Sequence, residues 1–378
     1  MTAPFPHALM PKAEHDELAR CEFVQMFKVH LANNVRPNNR AIFDRRVAPQ
    51  LAKAAPKAIT RHDVRRGMLA DAGYQMWGSL QRTSQELLWD SVGDTVLREL
   101  PAMIGKADAQ TKKRGSLRLA DKGFTAPRYI ADVDIHCMPG GYVTDLRDDD
   151  LAAGGYYDFG VYWYTMSGLG NLNDEKGRAA LRFLDQYYPG LKPRRVLDLG
   201  CTVGHSTLPY CDAYPQAEIH AIDVGAPVLR YAHARAEGLG KAVHFAQENA
   251  EATSYPAGSF DLVVSHILLH EVSRKALSAI MQESFRLLAP GGVMLHMDVP
   301  LFHGMTPYDA FDADWDTYNN NEPCWAQMRE ADIQSILAKA GFKPGDVLER
   351  WSPMKNLGTF EDTPITPRWY FLSARKPR

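Results

Sequence analysis

The sequence predicts an α/β protein in which a doubly wound, mostly parallel sheet follows an N-terminal, mainly helical region. Three observations carry this. From Pro193 onward short apolar runs alternate with stretches of helical periodicity. The runs are apolar at most positions, as strands covered by helices on both faces are. One of them, 195–199, ends in the turn Gly200-Cys201-Thr202-Val203-Gly204, which opens a helix.

Residues 14–103 read as helices, with apolar residues at helical intervals over 18–31, 41–54 and 64–82, punctuated by Pro37, Pro49 and Pro56. Thr60, three residues before Asp63, is the expected cap of one of them. This stretch is locally basic: Arg36, Arg40, Arg45, Arg46, Lys53, Lys57, Arg61, Arg65 and Arg66 have only Asp44 and Asp63 as near acids. Such an arm can meet nucleic acid, but the positives lack interleaved aromatics and read better as a solvated face.

Residues 104–155 are rich in Gly, Pro and Asp and read as loops with short strands. Within them His136 and Cys137 form a lone neighbour pair, a poor metal cage beside the bend Pro139-Gly140-Gly141, and no metal site is expected. Residues 156–170 are aromatic and glycine-rich. An amphipathic helix over 173–188 stops at Pro189-Gly190. Strands are expected at 195–199, 218–222, 242–246, 260–265 and 293–299, and helices at 206–214, 226–237, 273–288 and 330–340. Two closing strands, 346–351 and 368–374, flank the connection 352–367. The division expected is a helical region over 1–155 for substrate or oligomer contacts, a homodimer among them, and a catalytic domain over 156–378 with a lid insertion at 301–326.

The chain has 378 residues and a formal net charge of −2, ordinary values for a globular protein of about two domains. No apolar run reaches bilayer length and the first ten residues do not resemble a signal peptide, so a cytoplasmic location without membrane contact is expected. Five cysteines without a CxxC pair, Cys21, Cys137, Cys201, Cys211 and Cys324, argue for free thiols.

Ligands of open parallel sheets lie beyond the carboxyl ends of the strands. The first such end offers Asp198, Gly200, Cys201, Thr202 and Gly204. The second offers Asp223 and Val224, a carboxylate placed for ribose hydroxyls. The third leads to Asn249 and Ala250, where an amide can read an adenine edge. The fourth brings Ser265, His266 and, one helical turn on, His270. Only two glycines of a dinucleotide fingerprint are present, which disfavours a pyrophosphate cofactor and a nicotinamide oxidoreductase.

These residues, with 260–264 and Leu288-Ala289-Pro290-Gly291-Gly292, resemble the ordered motifs of class I S-adenosylmethionine-dependent methyltransferases over about 193–299. The resemblance implies a seven-stranded sheet ending in an antiparallel hairpin, and S-adenosyl-L-methionine as cofactor. Asp198 would lie near its ammonium, Gly200, Cys201 and Gly204 along its amino acid part, Asp223 at the ribose, Asn249 and Ala250 beside adenine, and Ser265 with His266 beside the methionine. Tyr157 stands where related enzymes close an aromatic residue over the cofactor. Thr202 departs from the family's middle glycine, and Asn249 from its aspartate.

Methyl transfer from a sulfonium needs mainly alignment and exclusion of water. A hydroxyl acceptor must also lose a proton, for which an imidazole suits. His266 and His270 are the candidate bases, or else packed core histidines, and Asp298 is the candidate for orienting an acceptor. Aromatic residues of 301–326 fit either a small-molecule cavity or a packed lid. The function expected is methyl transfer to a small or medium organic acceptor, at oxygen first. RNA or DNA methylation, and S-adenosylmethionine binding without transfer, are the alternatives.

Overall fold

The computed structural model describes residue 4 and residues 6–54, 58–110, 113–121, 123–354, 357–362 and 368–378. Pro56, Lys57, parts of the first ten residues and parts of the 352–367 connection lie outside them.

Eight strands form one sheet: β1 (Ser116–Arg118), β2 (Arg195–Leu199), β3 (Glu218–Asp223), β4 (His244–Gln247), β5 (Phe260–His266), β6 (Leu288–Asp298), β7 (Val347–Pro353) and β8 (Arg368–Arg375). Their order is β1-β4-β3-β2-β5-β6-β8-β7. All neighbours are parallel except β8, which runs antiparallel to β6 and β7. The sequence predicts seven of these. The eighth, β1, has one apolar residue in three and so no periodic signal. It is held at the edge by backbone contact: the Glu237 carboxylate accepts the N–H groups of Arg114 and Gly115. A Cβ at Gly115 would lie 2.0 Å from the Val243 carbonyl, so only glycine fits.

Alternation along the strands feeds two cores. Val196, Leu262, Val264 and Leu295 pack with Phe183 and Leu229 of the helices Glu175–Tyr187 and Ala226–Gly238. Leu197, Leu199, Val263 and Met294 pack on the other face with Leu277, Ile280 and Leu337 of Arg274–Leu287 and Ile333–Ala340. Each such fully buried side chain stabilises the sheet by about 1.5–3 kcal/mol relative to exposure. The chain passes from β2 to β3 on one side and to β5 on the other, which leaves a crevice at the β2 carboxyl end.

Thr60 caps the helix Arg61–Leu69 in a reciprocal box with Asp63, as its spacing predicts. The expected 64–82 helix is in fact broken: Asp71 accepts the N–H groups of Gly73 and Tyr74 and starts a new helix, Ala72–Asp108. That 37-residue helix runs five residues into the region read as loops, which is otherwise mainly loop up to residue 151 among the described residues. Residues 156–170 gave no helical signal because glycine is a poor helix former, yet Ala152–Tyr164 is a helix. Its glycines serve close packing, since a Cβ at Gly154 would meet Tyr231 at 2.2 Å and one at Gly160 would meet Trp89 at 2.4 Å.

The insertion docks on the N-terminal helices. Tyr308, Phe311 and Trp315 pack with Val64, Met68, Tyr74 and Trp77. Acids of the insertion meet the basic stretch, with Arg36 paired to Asp312 and Arg61 to Asp314. Part of the basic stretch is thus matched by carboxylates distant in the chain, while Arg46 and Arg66 pair nearer by, with Asp71 and Asp63. Among the described residues no helix is long and apolar enough to cross a membrane, and the five cysteines are free.

Candidate functional site

At the carboxyl ends of β2, β3 and β5 lie two adjoining hollows that share Tyr157, Gly200, Thr202, His266 and Ile267. One reaches Asp223, Val224, Asn249 and Ala250. The other reaches Asp198, Cys201 and His205. The turn between them is tight. Gly200 has φ +70°, and a Cβ there would meet Leu268 at 2.7 Å. Thr202 holds φ 45° and Ile267 φ 62°, left-handed conformations that β-branched residues adopt only under constraint. Both line the hollows, so backbone strain is concentrated where a ligand would sit.

Two carboxylates organise the turn. Asp223, at the end of β3, accepts the N–H of Thr202 at 2.9 Å on one oxygen and that of Gly225 at 2.9 Å on the other. The Val224 N–H is a third backbone donor to this carboxylate, while burial pushes the carboxyl above its usual range. Asp198, 2% exposed, accepts the Thr207 hydroxyl at 2.6 Å on Oδ2. Its Oδ1 lies 3.4 Å from His266 Nδ1, and neither atom has a hydrogen-bond partner. An unpartnered buried carboxylate oxygen beside a hollow suits a cationic donor such as an ammonium.

The remaining sequence-predicted residues divide. Val224, Ala250 and Asn249 line the Asp223 hollow, but the Asn249 amide oxygen accepts the N–H of Glu251 at 2.9 Å and so closes its own turn. Gly204, φ +77°, lines neither hollow; its N–H closes the turn onto the Cys201 carbonyl. Ser265 also stays outside both, sharing a 2.6 Å hydrogen bond with His296 inside the sheet. Tyr157 stacks on His205 at the boundary.

A larger cavity, about 400 Å³, opens on the far side of Tyr157 and Ile267. Trp89, Tyr164, Trp325 and Trp369 wall it, and His136, Lys176 and His270 supply its polar groups. Trp325 comes from the insertion; the insertion's Tyr308, Phe311 and Trp315 are packing residues instead. Burial pushes Lys176 down to about 8. His266 faces the turn and not this cavity, with Nε2 3.2 Å from the Tyr210 hydroxyl. His270 Nδ1 lies 2.6 Å from Asp298 Oδ1, and its Nε2 is unpartnered. Asp298 does not reach the cavity: it is fully buried and accepts the N–H groups of Leu269 and Val299 besides His270. It orients the imidazole rather than an acceptor.

Beside His270 stand residues that the sequence reading passed over. His136 Nε2 lies 3.2 Å from Glu271 and its Nδ1 2.9 Å from Glu322. Burial lowers the His136 pKa, but the Glu322 and Glu271 charges outweigh it and raise it well above the usual histidine range. His136 was read as part of a bend, which it is, with φ 57°. Nothing local in the sequence pairs it with glutamates so far along the chain.

Residues 196–292 match the family model described as "Methyltransferase domain". The chain is 34% identical over 110 residues to a demethylmenaquinone methyltransferase of Thermus thermophilus, covering 29% of this chain and 48% of that one. It is 33% identical to a malonyl-[acyl-carrier protein] O-methyltransferase of Halorhodospira halophila over 30% of this chain and 38% of the relative. Identity is 35% to a trans-aconitate 2-methyltransferase of Methylobacterium radiotolerans, over 32% and 44%. The chain thus spans less than half the length of each of these curated relatives.

Proposed function

With a class I S-adenosylmethionine-dependent methyltransferase domain at its core, this chain, we propose, transfers a methyl group to an oxygen of a small or medium organic acceptor. The carrying observation is the meeting of two unlike cavities at Tyr157 and Ile267: a glycine turn with an unpartnered carboxylate oxygen on one side, an aromatic chamber with an unpartnered imidazole nitrogen on the other. When bound, S-adenosylmethionine supplies an activated sulfonium methyl group.

The chain's own residues do the rest. Asp198 would hold the cofactor's ammonium and Asp223 its ribose, with Val224 and Ala250 beside the base. The aromatic walls exclude water and hold a flat acceptor against the boundary. His270, kept with Nδ1–H on Asp298, presents the Nε2 lone pair that takes the acceptor's proton. His266 serves the cofactor side.

Purified protein is to be incubated with methyl-labelled S-adenosylmethionine and a panel of phenol, catechol, carboxylic acid and amine acceptors. Label should appear on a phenolic or carboxylic oxygen, and in His270→Ala turnover should fall about 100-fold or more while S-adenosylhomocysteine affinity holds. Label on amines alone would overturn the oxygen assignment, and full activity in the variant would remove His270 as base.

A further inference from the structure

His136, His270 and Glu271 bring one nitrogen, one nitrogen and one carboxylate oxygen within 4.8 Å of one another. Glu271 Oε1 is 3.2 Å from His136 Nε2 and 3.6 Å from His270 Nε2. These are the separations of ligands that share one ion at about 2.0–2.2 Å each. From the arrangement we infer that these three side chains form a mononuclear site for a divalent first-row transition ion, open toward the acceptor cavity.

Two features go beyond proximity. The first is that both imidazoles have the far nitrogen on a carboxylate: His136 Nδ1 on Glu322 at 2.9 Å and His270 Nδ1 on Asp298 at 2.6 Å. A carboxylate there holds the Nδ1–H, so that the other nitrogen can give its lone pair to an ion, in His136 once the ion takes the place of the Nε2 proton, the usual support of a metal-bound histidine. The Tyr142 hydroxyl, 3.2 Å from Glu271 Oε1, braces the third ligand.

The second feature is a surplus of acceptors. His270 Nε2, Glu271 Oε2 and Glu322 Oε2 are buried and without a hydrogen-bond partner. Glu271 Oε2 and Glu322 Oε2 are lone-pair sites in any case, and His270 Nε2 is one in the tautomer that donates Nδ1–H to Asp298. The two N–H groups of His136 are already directed at Glu271 and Glu322 and cannot serve them. Buried acceptors that outnumber donors are satisfied by a cation. A divalent ion replacing one proton of His136 would also lower the excess negative charge of Glu271 and Glu322.

Imidazole and carboxylate ligands select ions of the zinc, iron, manganese or cobalt kind. Three protein ligands leave positions open, as ligand-exchanging sites do. His136 lines both the Asp223 hollow and the aromatic cavity, so the open face looks onto the boundary between them. An acceptor oxygen on the ion would pass its proton, made more acidic by coordination, to the unpartnered Glu322 carboxylate oxygen, and His270, the base of the ion-free site, would serve as a ligand. This refines the proposed acceptor site without depending on methyl transfer.

Protein stripped with a chelator is to be titrated calorimetrically with Zn²⁺ alone and optically with Co²⁺ alone. One ion per chain is expected, with a cobalt spectrum of nitrogen and oxygen ligands. His136→Ala and Glu271→Gln should each weaken binding about 100-fold while retaining the circular dichroism spectrum and cooperative urea unfolding of the parent protein as a check on folding. No binding, binding unchanged in both folded variants, or thiolate charge-transfer bands that assign the ion to cysteines would each overturn the site. Methyl transfer by protein that binds no ion would overturn the site and leave the function standing. One bound ion without methyl transfer would do the reverse.

Discussion

The two sides of the crevice are built from different materials. On the proposed cofactor side the contacts are made largely by backbone: the N–H groups of Thr202 and Gly225 converge on Asp223, and the turn closes through Cys201 and Gly204. On the acceptor side they are side chains gathered from distant places, with His136 from a loop, Glu271 from the turn after β5, Glu322 and Trp325 from the insertion, and Trp89 from the long helix. A site made of backbone must keep its local sequence, whereas one made of side chains can change its acceptor by changing its walls. The histidines divide likewise. His220 and His296, in the sheet, are held neutral by burial, at about 4 and about 3. His136 is held charged by glutamates.

That contrast gives the largest expected effect. Unfolded, His220 and His296 titrate near pH 6.5; folded, they do so near 4 and 3. Below about pH 6.5 the unfolded chain therefore binds protons that the folded chain refuses, so stability is full above that pH and falls as pH drops toward 4. The groups facing His296 are Asp298, His266 and the Ser265 hydroxyl, and those facing His220 are Glu218, Arg195, His244 and the Tyr255 hydroxyl. Urea unfolding at pH 7 and pH 4.5 should differ by on the order of 2 kcal/mol for each histidine. His296→Gln should remove about half of that slope, and a flat profile would mean that the sheet histidines are hydrated.

Legibility follows the same division. Strand β2 is predicted at its observed limits, and β3 and β5 to within one residue, because their apolar runs and the glycine turn are local signals. Asp198 and Asp223 are legible for the same reason. Strand β1 is not, since it is held by a carboxylate on its backbone. Nor is the helix Ala152–Tyr164, whose glycines lower helical propensity but allow close approach of Tyr231 and Trp89. Ser265 and Asp298 were assigned to ligands from their place at strand ends, but period-2 alternation and a neighbouring histidine turn each inward. His136 is weighed in the sequence only with its neighbour Cys137, because its partners Glu271 and Glu322 lie far along the chain.

Asp223→Ala sharpens the comparison next. The carboxylate anchors two backbone N–H groups and, on the proposed reading, the ribose. Affinity for S-adenosylmethionine should fall by about 2 kcal/mol, measured by calorimetry, while turnover at saturating cofactor changes much less. A fall confined to turnover would mean that the two sides are not separable.

The smallest effect concerns Thr202. Holding a β-branched residue at φ 45° costs about 1–2 kcal/mol of backbone strain, which Thr202→Gly would release. Against that stand the greater entropy of glycine in the unfolded chain, about 0.5–1 kcal/mol, and the loss of the hydroxyl's 2.8 Å bond to the Cys201 carbonyl. These nearly cancel, so stability should shift by less than about 1 kcal/mol in either direction. The N–H to Asp223 survives the substitution, and cofactor affinity should hold within a few fold. If the cofactor side depends on backbone, deleting this side chain is tolerated. A large loss of affinity would mean that the Thr202 side chain, which meets the Tyr157 hydroxyl at the boundary between the two cavities, is itself a binding element, and the division between a backbone-built and a side-chain-built half would not hold at the point where they meet.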